Sequence, residues 1–250
     1  MRIVSLVPSL TLTLFDFGLD ATSIVGRTPW CIHPADGVAD VPVVGGTKTP
    51  TLSKIEAAQP DLVVMDRDEN PKAVYDWCRE KGFPTFVCHV KHPRDVPSML
   101  RELGQAVNRA QEAERWASEI ETLLNDISPA SGRIGLPLIW HEPLMAANGN
   151  TYAGNMLTCT GFSVPKIEAD GSGYPEVTAV TIVEHGITDL FLSSEPHEFT
   201  VEEGESLFNV LQKLTETPPR VHHIDGEDLT WMGTRTLLGL KRLQAKWAQT

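Results

Sequence analysis

The chain has 250 residues, 41% hydrophobic and 22% charged, with 21 Lys and Arg against 33 Asp and Glu for a formal net charge of -12. That composition suits a chain that buries a core, as one large domain or two modest ones, and its negative balance argues against a nucleic-acid surface, which needs a basic stripe. There is no run of apolar residues long enough to span a bilayer, so no membrane insertion is expected.

The N-terminus enters a strand at once, over Arg2–Val7. Pro8-Ser9 ends it, and Ser9 or Thr11 is expected to cap a helix running to Phe17-Gly18. Ser23–Gly26 reads as a second short strand, followed by the irregular loop RTPWCIHP from Arg27 to Pro34. VPVVGG, Val41–Gly46, reads as a strand with a glycine stop, and GGTKT at Gly45 to Thr49 as a turn, since it lacks the phosphate-loop spacing. Ser53 starts a short helix, and Asp61–Met65 is a continuous apolar strand of the kind buried in parallel sheets. Pro71 opens a helix to Lys81, Gly82 ends it, and Thr85–Cys88 is the next strand.

From Pro93 to Ser128 the apolar residues recur at steps of three and four, including Ala113, Trp116, Ala117, Ile120 and Leu124, which is helical periodicity. A break near Gly104 to Asn108 splits the segment into two helices, the second unusually long. Ser128–Pro137 is a turn-rich joint. Beyond it come a strand at Leu138–His141, a helix at Thr151–Thr160 capped by Thr151 or Asn150, and a loop at Ile167–Pro175. A helix at Thr178–His185, a strand at Asp189–Leu192, a helix at Val201–Leu214, a strand at Arg220–Ile224 and a closing helix at Gly233–Trp247 complete the chain.

Two halves of this pattern repeat. Lys54–Asn70 and Ile182–Glu198 each give a helix end, a turn, an Asp (Asp61, Asp189), an apolar strand and a polar loop. Strands alternating with helices mean α/β with parallel sheets. The expectation is two Rossmann-like lobes joined by a single long backbone helix, with boundaries at 1–108, 109–128 and 129–250.

Ligands in open α/β sheets bind beyond the carboxyl ends of the strands. The loops at those ends carry Trp30, Trp140 and Trp231, together with His33, His89, His92, His141 and His197. Aromatic walls with a few polar groups are what small-molecule sites use. His33, His89, His141 and Glu195 could converge on a metal, although no zinc-type spacing is present and the metal assignment is left open. Of the adjacent His222 and His223, one should face the interior and one the solvent. There is no GxSxG elbow, and no cofactor is assigned; a metal chelate or flat macrocycle suits the tryptophans as a ligand. The four cysteines, Cys31, Cys78, Cys88 and Cys159, have no CxxC spacing and read as free thiols of a reducing compartment, with a Cys31–Cys88 pair left open. As it stands, without a leader pattern, the sequence reads as cytoplasmic, or as periplasmic if a leader was removed.

RIVSLVPSLTLTLFDFGL, IVGRTPWCIHP and VPVVGGTKTPTLSKIEAAQPDLVV resemble the opening of the helical-backbone (class III) ABC-type substrate-binding proteins, the receptors for cobalamin, siderophores and haem. YPEVT, DLFLSSEP and VHHIDGEDLTWMGTR fit their second lobe. The nearest subgroup is the "helical backbone metal receptor" branch, through Trp30-Cys31-x-His33-Pro34 and Thr230-Trp231-x-Gly233-x-Arg235. The resemblance implies a small-molecule binding protein holding a metal chelate or corrinoid-like ligand in the cleft between two lobes, with modest closure. Trp30, Trp140 and Trp231 would stack on the ligand. His33, Glu69, His141 and Glu195 would give polar or metal contacts, and Arg235 would hold an anionic group. Two alternatives accompany it: the exported component of an ABC importer for cobalamin, siderophore, haem or metal, with an ABC transporter permease as partner, and an enzyme using the same cleft. Two departures stand out. Importer receptors carry a secretion signal, and the acid that B12 receptors place on the first lobe to dock on the transporter is close to Lys72 here. Glu69 or Asp76, or on the second lobe Glu202 and Glu203, could substitute, since those receptors use an acid on each lobe.

Overall fold

The computed structural model describes residues 1–127, 132–168, 171 and 173–247. The chain divides into two compact units, Met1–Val90 with Asp95–Glu121 and Met232–Arg235, and Lys91–Arg94 with Thr122–Trp231 and Thr236–Thr250.

The first unit runs β1 (Ile3–Ser5), α1 (Pro8–Asp16), β2 (Ile24–Arg27), α2 (Ala35–Val38), α3 (Leu52–Ala57), β3 (Leu62–Asp66), α4 (Lys72–Lys81), β4 (Thr85–Cys88), α5 (Val96–Ala106) and α6 (Ala110–Asn125). Its sheet is wholly parallel, in the order β2-β1-β3-β4. All five residues of β3 are buried, which is why LVVMD reads as an unbroken apolar run. Val4, Leu6, Ile55, Val63 and Met65 form the core on it. The expected break between the two long helices is there. Asn108 turns with φ 56, and Gly104 lets α6 approach α5, since a Cβ at 104 would lie 2.3 Å from the Ala113 methyl. The boundary between the two units falls within α6, whose 16 residues match the long helix read from periodicity.

The second unit holds β5 (Gly135–Trp140), β6 (Met145–Ala146), α7 (Tyr152–Thr158), α8 (Ala179–Glu184), β7 (Asp189–Ser193), α9 (Val201–Leu211), β8 (Arg220–Ile224), α10 (Gly226–Thr230) and α11 (Arg235–Trp247). The sheet order is β6-β5-β7-β8, with β6 antiparallel and the rest parallel. The internal repeat is therefore real. β1, β3 and β4 occupy the places that β5, β7 and β8 occupy in the second sheet. Leu136, Leu138, Ile182, Leu190, Leu192 and Phe199 build its core.

Several expectations change. Val41–Gly46 is not a strand. It makes only isolated bridges, Arg27 with Val43 and Gly45 with Pro50, because Pro42 has no N–H to give a ladder and Gly45 turns the chain at φ 110. The turn at GGTKT is present, closed by the Thr49 amide on the Gly46 carbonyl at 3.1 Å. No side chain caps α1; Pro8 opens it, and the Thr11 hydroxyl instead donates back to the Val7 carbonyl at 3.0 Å. The short β6 and α10 were not foreseen. The joint expected at 128–137 and the loop at 167–175 lie partly outside the described residues. His222 is half-buried and His223 exposed, as alternation required. All four cysteines are buried free thiols, so Cys31 and Cys88 are not paired. Among the described residues, no helix is long and apolar enough to cross a membrane.

Candidate functional site

In the first unit the loop after β2 is pinned by Cys31, which is fully buried. The Thr11 hydroxyl lies 3.1 Å from its Sγ and the Thr28 hydroxyl 3.2 Å from it. Pinning one residue inward turns its neighbours outward. Trp30 is 65% exposed and Ile32 50%. His33, half-buried, precedes a cis bond to Pro34.

The loop after β3 is a closed polar turn. The Asp66 carboxylate accepts from the backbone N–H of Asp68 at 2.8 Å and of Glu69 at 3.0 Å. Asn70 donates to the carbonyls of Leu6 and Thr47. This presents Glu69 on the surface, exposed at its edge. Crowding by the surrounding protein nonetheless raises its pKa, aided by Asp66 and Asp68 and opposed by Lys48. Lys48 itself donates to the Asp68 carbonyl. A groove of about 620 Å³ lies beside this loop, lined by Asp66, Arg67, Lys72, Tyr75 and Val87 among others.

In the second unit Trp140 ends β5, 42% exposed, its indole N–H donating to the Glu142 carbonyl at 3.1 Å. The next residue, His141, points Nδ1 at Glu203 Oε1, 3.2 Å away. His197, from the loop after β7, places Nε2 3.1 Å from both Glu203 oxygens. The two imidazoles stack, with centroids 5.7 Å apart and planes 15° from parallel. The buried Phe199 ring meets both edge-on. Glu203 is held by a capping box at the start of α9. Thr200 accepts from the Glu203 amide, and the Glu203 carboxylate accepts from the Thr200 amide at 2.8 Å. That amide is the main reason the Glu203 carboxyl sits below the ordinary carboxylate range; partial burial opposes it, and His197 and His141 add to it.

Glu195 lies apart from this trio. Burial raises its pKa, while hydrogen bonds from Thr230 and Trp231 pull the other way. Thr230 donates at 2.7 Å. Glycine is required at 226, where a Cβ would come within 2.3 Å of the Glu195 Cγ. Trp231 is only 7% exposed, so it presents far less surface than the other two tryptophans. Arg235 opens α11, half-buried.

Of the side chains singled out from sequence, the structure thus joins Glu195 to Trp231, and Trp140 to the His141 surroundings, where its ring meets His197 edge-on. Sequence reasoning missed that His197 and Glu203 belong with His141. The available signal was Thr200-x-x-Glu203, a capping-box pattern that fixes Glu203 in the first turn of a helix, six residues after His197.

The family model described as periplasmic binding protein matches residues 3–209. A vitamin B12-binding protein of Pectobacterium atrosepticum is 23% identical over 129 residues, covering 52% of this chain and 46% of that protein. One from Yersinia pestis is 23% identical over 164 residues, covering 64% and 58%. The chain thus spans about half the length of the curated relatives it matches. Among solved structures, a periplasmic heme binding protein from Pseudomonas aeruginosa superposes with TM-score 0.81 at 20% identity, covering 100% of this chain and 93% of that one. The periplasmic vitamin B12 binding protein of Vibrio cholerae gives 0.78 at 17%, covering 100% and 98%.

Proposed function

This chain belongs to the periplasmic binding protein family, and we propose that its ligand is a metal chelate or a corrinoid-like macrocycle. Membership makes it a binding protein and sets the enzyme alternative aside. The observation that carries the ligand class is the pair of exposed indoles at strand-end loops, Trp30 at 65% and Trp140 at 42% exposure. Covering an open indole gains roughly 2–3 kcal/mol at about 25 cal/mol per Å², and flat macrocycles are suited to do it. In this reading Trp30, Trp140 and Trp231 contact the ligand faces. His33, Glu69, His141 and Glu195 give polar contacts, and Arg235 meets an anionic group. The relatives named for vitamin B12 and heme support the class without choosing within it.

The same reading gives the protein an ABC transporter permease as partner and the periplasm as its place of work. Lys72 stands where an acid was expected and pairs with Asp76 at 2.6 Å. Glu203 is engaged by two histidines, which leaves the exposed Glu202 as the docking acid of the second lobe. Cell fractionation tests the compartment.

The deciding experiment is a thermal-shift and absorbance screen against cobalamin, cobinamide, haem and ferric siderophores. A ligand at a hundredfold excess over Kd adds about 2.7 kcal/mol of stability. The expected result is a shift with one macrocycle or chelate that Trp30→Ala and Trp140→Ala abolish. No shift with any of them, or a shift that both variants retain, overturns the ligand class.

A further inference from the structure

We propose that His141, His197 and Glu203 form a binding site for a divalent transition-metal ion of the zinc class. This goes beyond the chelate reading. A chelate brings its own metal, whereas this trio would take a bare ion, and all three ligands come from one lobe.

Two imidazoles and one carboxylate are the donor set of open zinc sites, which keep a position for water or a further ligand. Thiolate-preferring and all-oxygen ions fit it less well. The three ligand atoms lie within 4.8 Å of one another, with Glu203 3.2 Å from His141 and 3.1 Å from His197. For bonds near 2.0–2.1 Å, tetrahedral ligands sit about 3.3 Å apart. The carboxylate–imidazole edges are therefore already of the right length, and the two imidazole nitrogens lie within 4.8 Å of each other.

The supports are also those of a coordination site. The Thr200 amide fixes the Glu203 carboxylate from behind at 2.8 Å, the outer hydrogen bond that orients a ligand. Phe199, 6% exposed, meets both rings edge-on and holds their near-parallel stack. His197 is tied to the strand that leads into His141, its amide on the Ile139 carbonyl at 3.3 Å. With side-chain exposures of 35%, 29% and 22%, the trio is sheltered yet open enough for an ion to enter. One protonated imidazole would balance the glutamate's charge; a second imidazole aimed at the same carboxylate completes a three-donor set.

The test is calorimetric titration of chelator-stripped protein with Zn²⁺, paired with Co²⁺ absorption. Wild type should saturate at one ion per chain, with the visible Co²⁺ bands of a low-coordinate nitrogen and oxygen site. His141→Ala, His197→Ala and Glu203→Gln should each weaken Zn²⁺ binding by about tenfold or more. His223→Ala, at an exposed strand position, should leave it unchanged. Glu203→Gln keeps an acceptor for the Thr200 amide, so it reports on the metal without removing the cap. Failure of wild type to saturate at one ion, or equal affinity in wild type and the three variants, overturns the site and leaves a hydrogen-bonded cluster. Neither result depends on whether any macrocycle binds.

Discussion

The two lobes repeat one topology but fasten it differently. β3 and β7 hold the same place in their sheets; Asp61 immediately precedes β3, and Asp189 is the first residue of β7. Asp61 in the first lobe is exposed and accepts from the Arg2 amide at 2.7 Å. Asp189 in the second has no exposed side-chain surface and gathers Arg133, Arg220 and His222. Helix starts differ too. From α1 to α5, no N-terminus in the first lobe has a side-chain cap bond. In the second, α7, α8, α9 and α10 all do. A shared topology thus leaves both fastening and site chemistry to local residues, in keeping with function residing in loops grafted on a fold.

The tryptophans break the comparison most sharply. Trp231→Ala should destabilise the protein by about 3–5 kcal/mol, the cost of emptying a buried Trp site. Trp30→Ala, at an exposed ring, should cost less than about 0.5 kcal/mol. Urea denaturation of both variants checks this. A large loss in Trp30→Ala would mean that its ring packs in solution.

Asp189→Asn comes next, at about 3 kcal/mol, because it removes the buried carboxylate charge on which Arg133, Arg220 and His222 converge. The matching Asp61→Asn should cost under about 1 kcal/mol. The pH dependence follows the same asymmetry. Burial would raise the Asp189 carboxyl, but hydrogen bonds from Arg133, His222 and Thr188 outweigh it and hold it below its ordinary 3.8. Its contribution is full above that value and is lost as pH falls through the lower folded value. Burial also lowers His222 from 6.5, so the unfolded chain takes up that proton first and stability begins to fall as pH drops below 6.5. Melting temperature should therefore decline on acidification in wild type, and in Asp189→Asn the decline should be less steep only below about pH 3.8, where the wild-type carboxylate is lost, because Asp189 raises His222 and its removal deepens the loss that begins at 6.5.

The β3 loop offers a third comparison. Asn70 is 7% exposed and joins the loop to the Leu6 and Thr47 carbonyls, while its own oxygen accepts from the Asp66 amide. Asn70→Ala leaves those groups short of partners and should cost about 2 kcal/mol by denaturation. Ser194→Ala, in the corresponding loop of the second lobe, removes one acceptor, that for the Gly226 amide at 2.8 Å, and should cost about 1 kcal/mol.

Much of this was legible in the sequence because glycine and proline punctuate it so clearly. Pro8, Gly18, Pro71, Gly82 and Gly233 bracket helices where the structure has them, and the Asp-apolar-strand repeat correctly announced two equivalent sheets. What escaped was short or assembled across elements. β6 is two residues long, below any periodicity. Pro42 sits inside a valine run that is otherwise strand-like. The His141 trio spans a strand end, a loop and a helix start, so no single spacing encodes it. Trp30 and Trp231 look alike as sequence, and their exposure depends on neighbours such as the buried Cys31 beside Trp30.

Capping gives the smallest and most general test. Thr151, Thr178 and Thr200 each accept a hydrogen bond from the first turn of their helix, and Thr→Ala at such a position costs about 1 kcal/mol. Thr51 stands before α3 with no cap bond from its side chain, so Thr51→Ala should be close to neutral. Thr200→Ala carries a second consequence. Its amide survives the substitution and still holds the Glu203 carboxylate, but the hydroxyl that receives the Glu203 amide at 3.2 Å is gone. The helix start loosens while the carboxylate keeps its anchor. Stability should therefore fall by about as much as in Thr178→Ala, whereas Zn²⁺ affinity should fall much less than in Glu203→Gln. Equal losses of affinity in the two variants would mean that the helix start, rather than the carboxylate, governs the pocket.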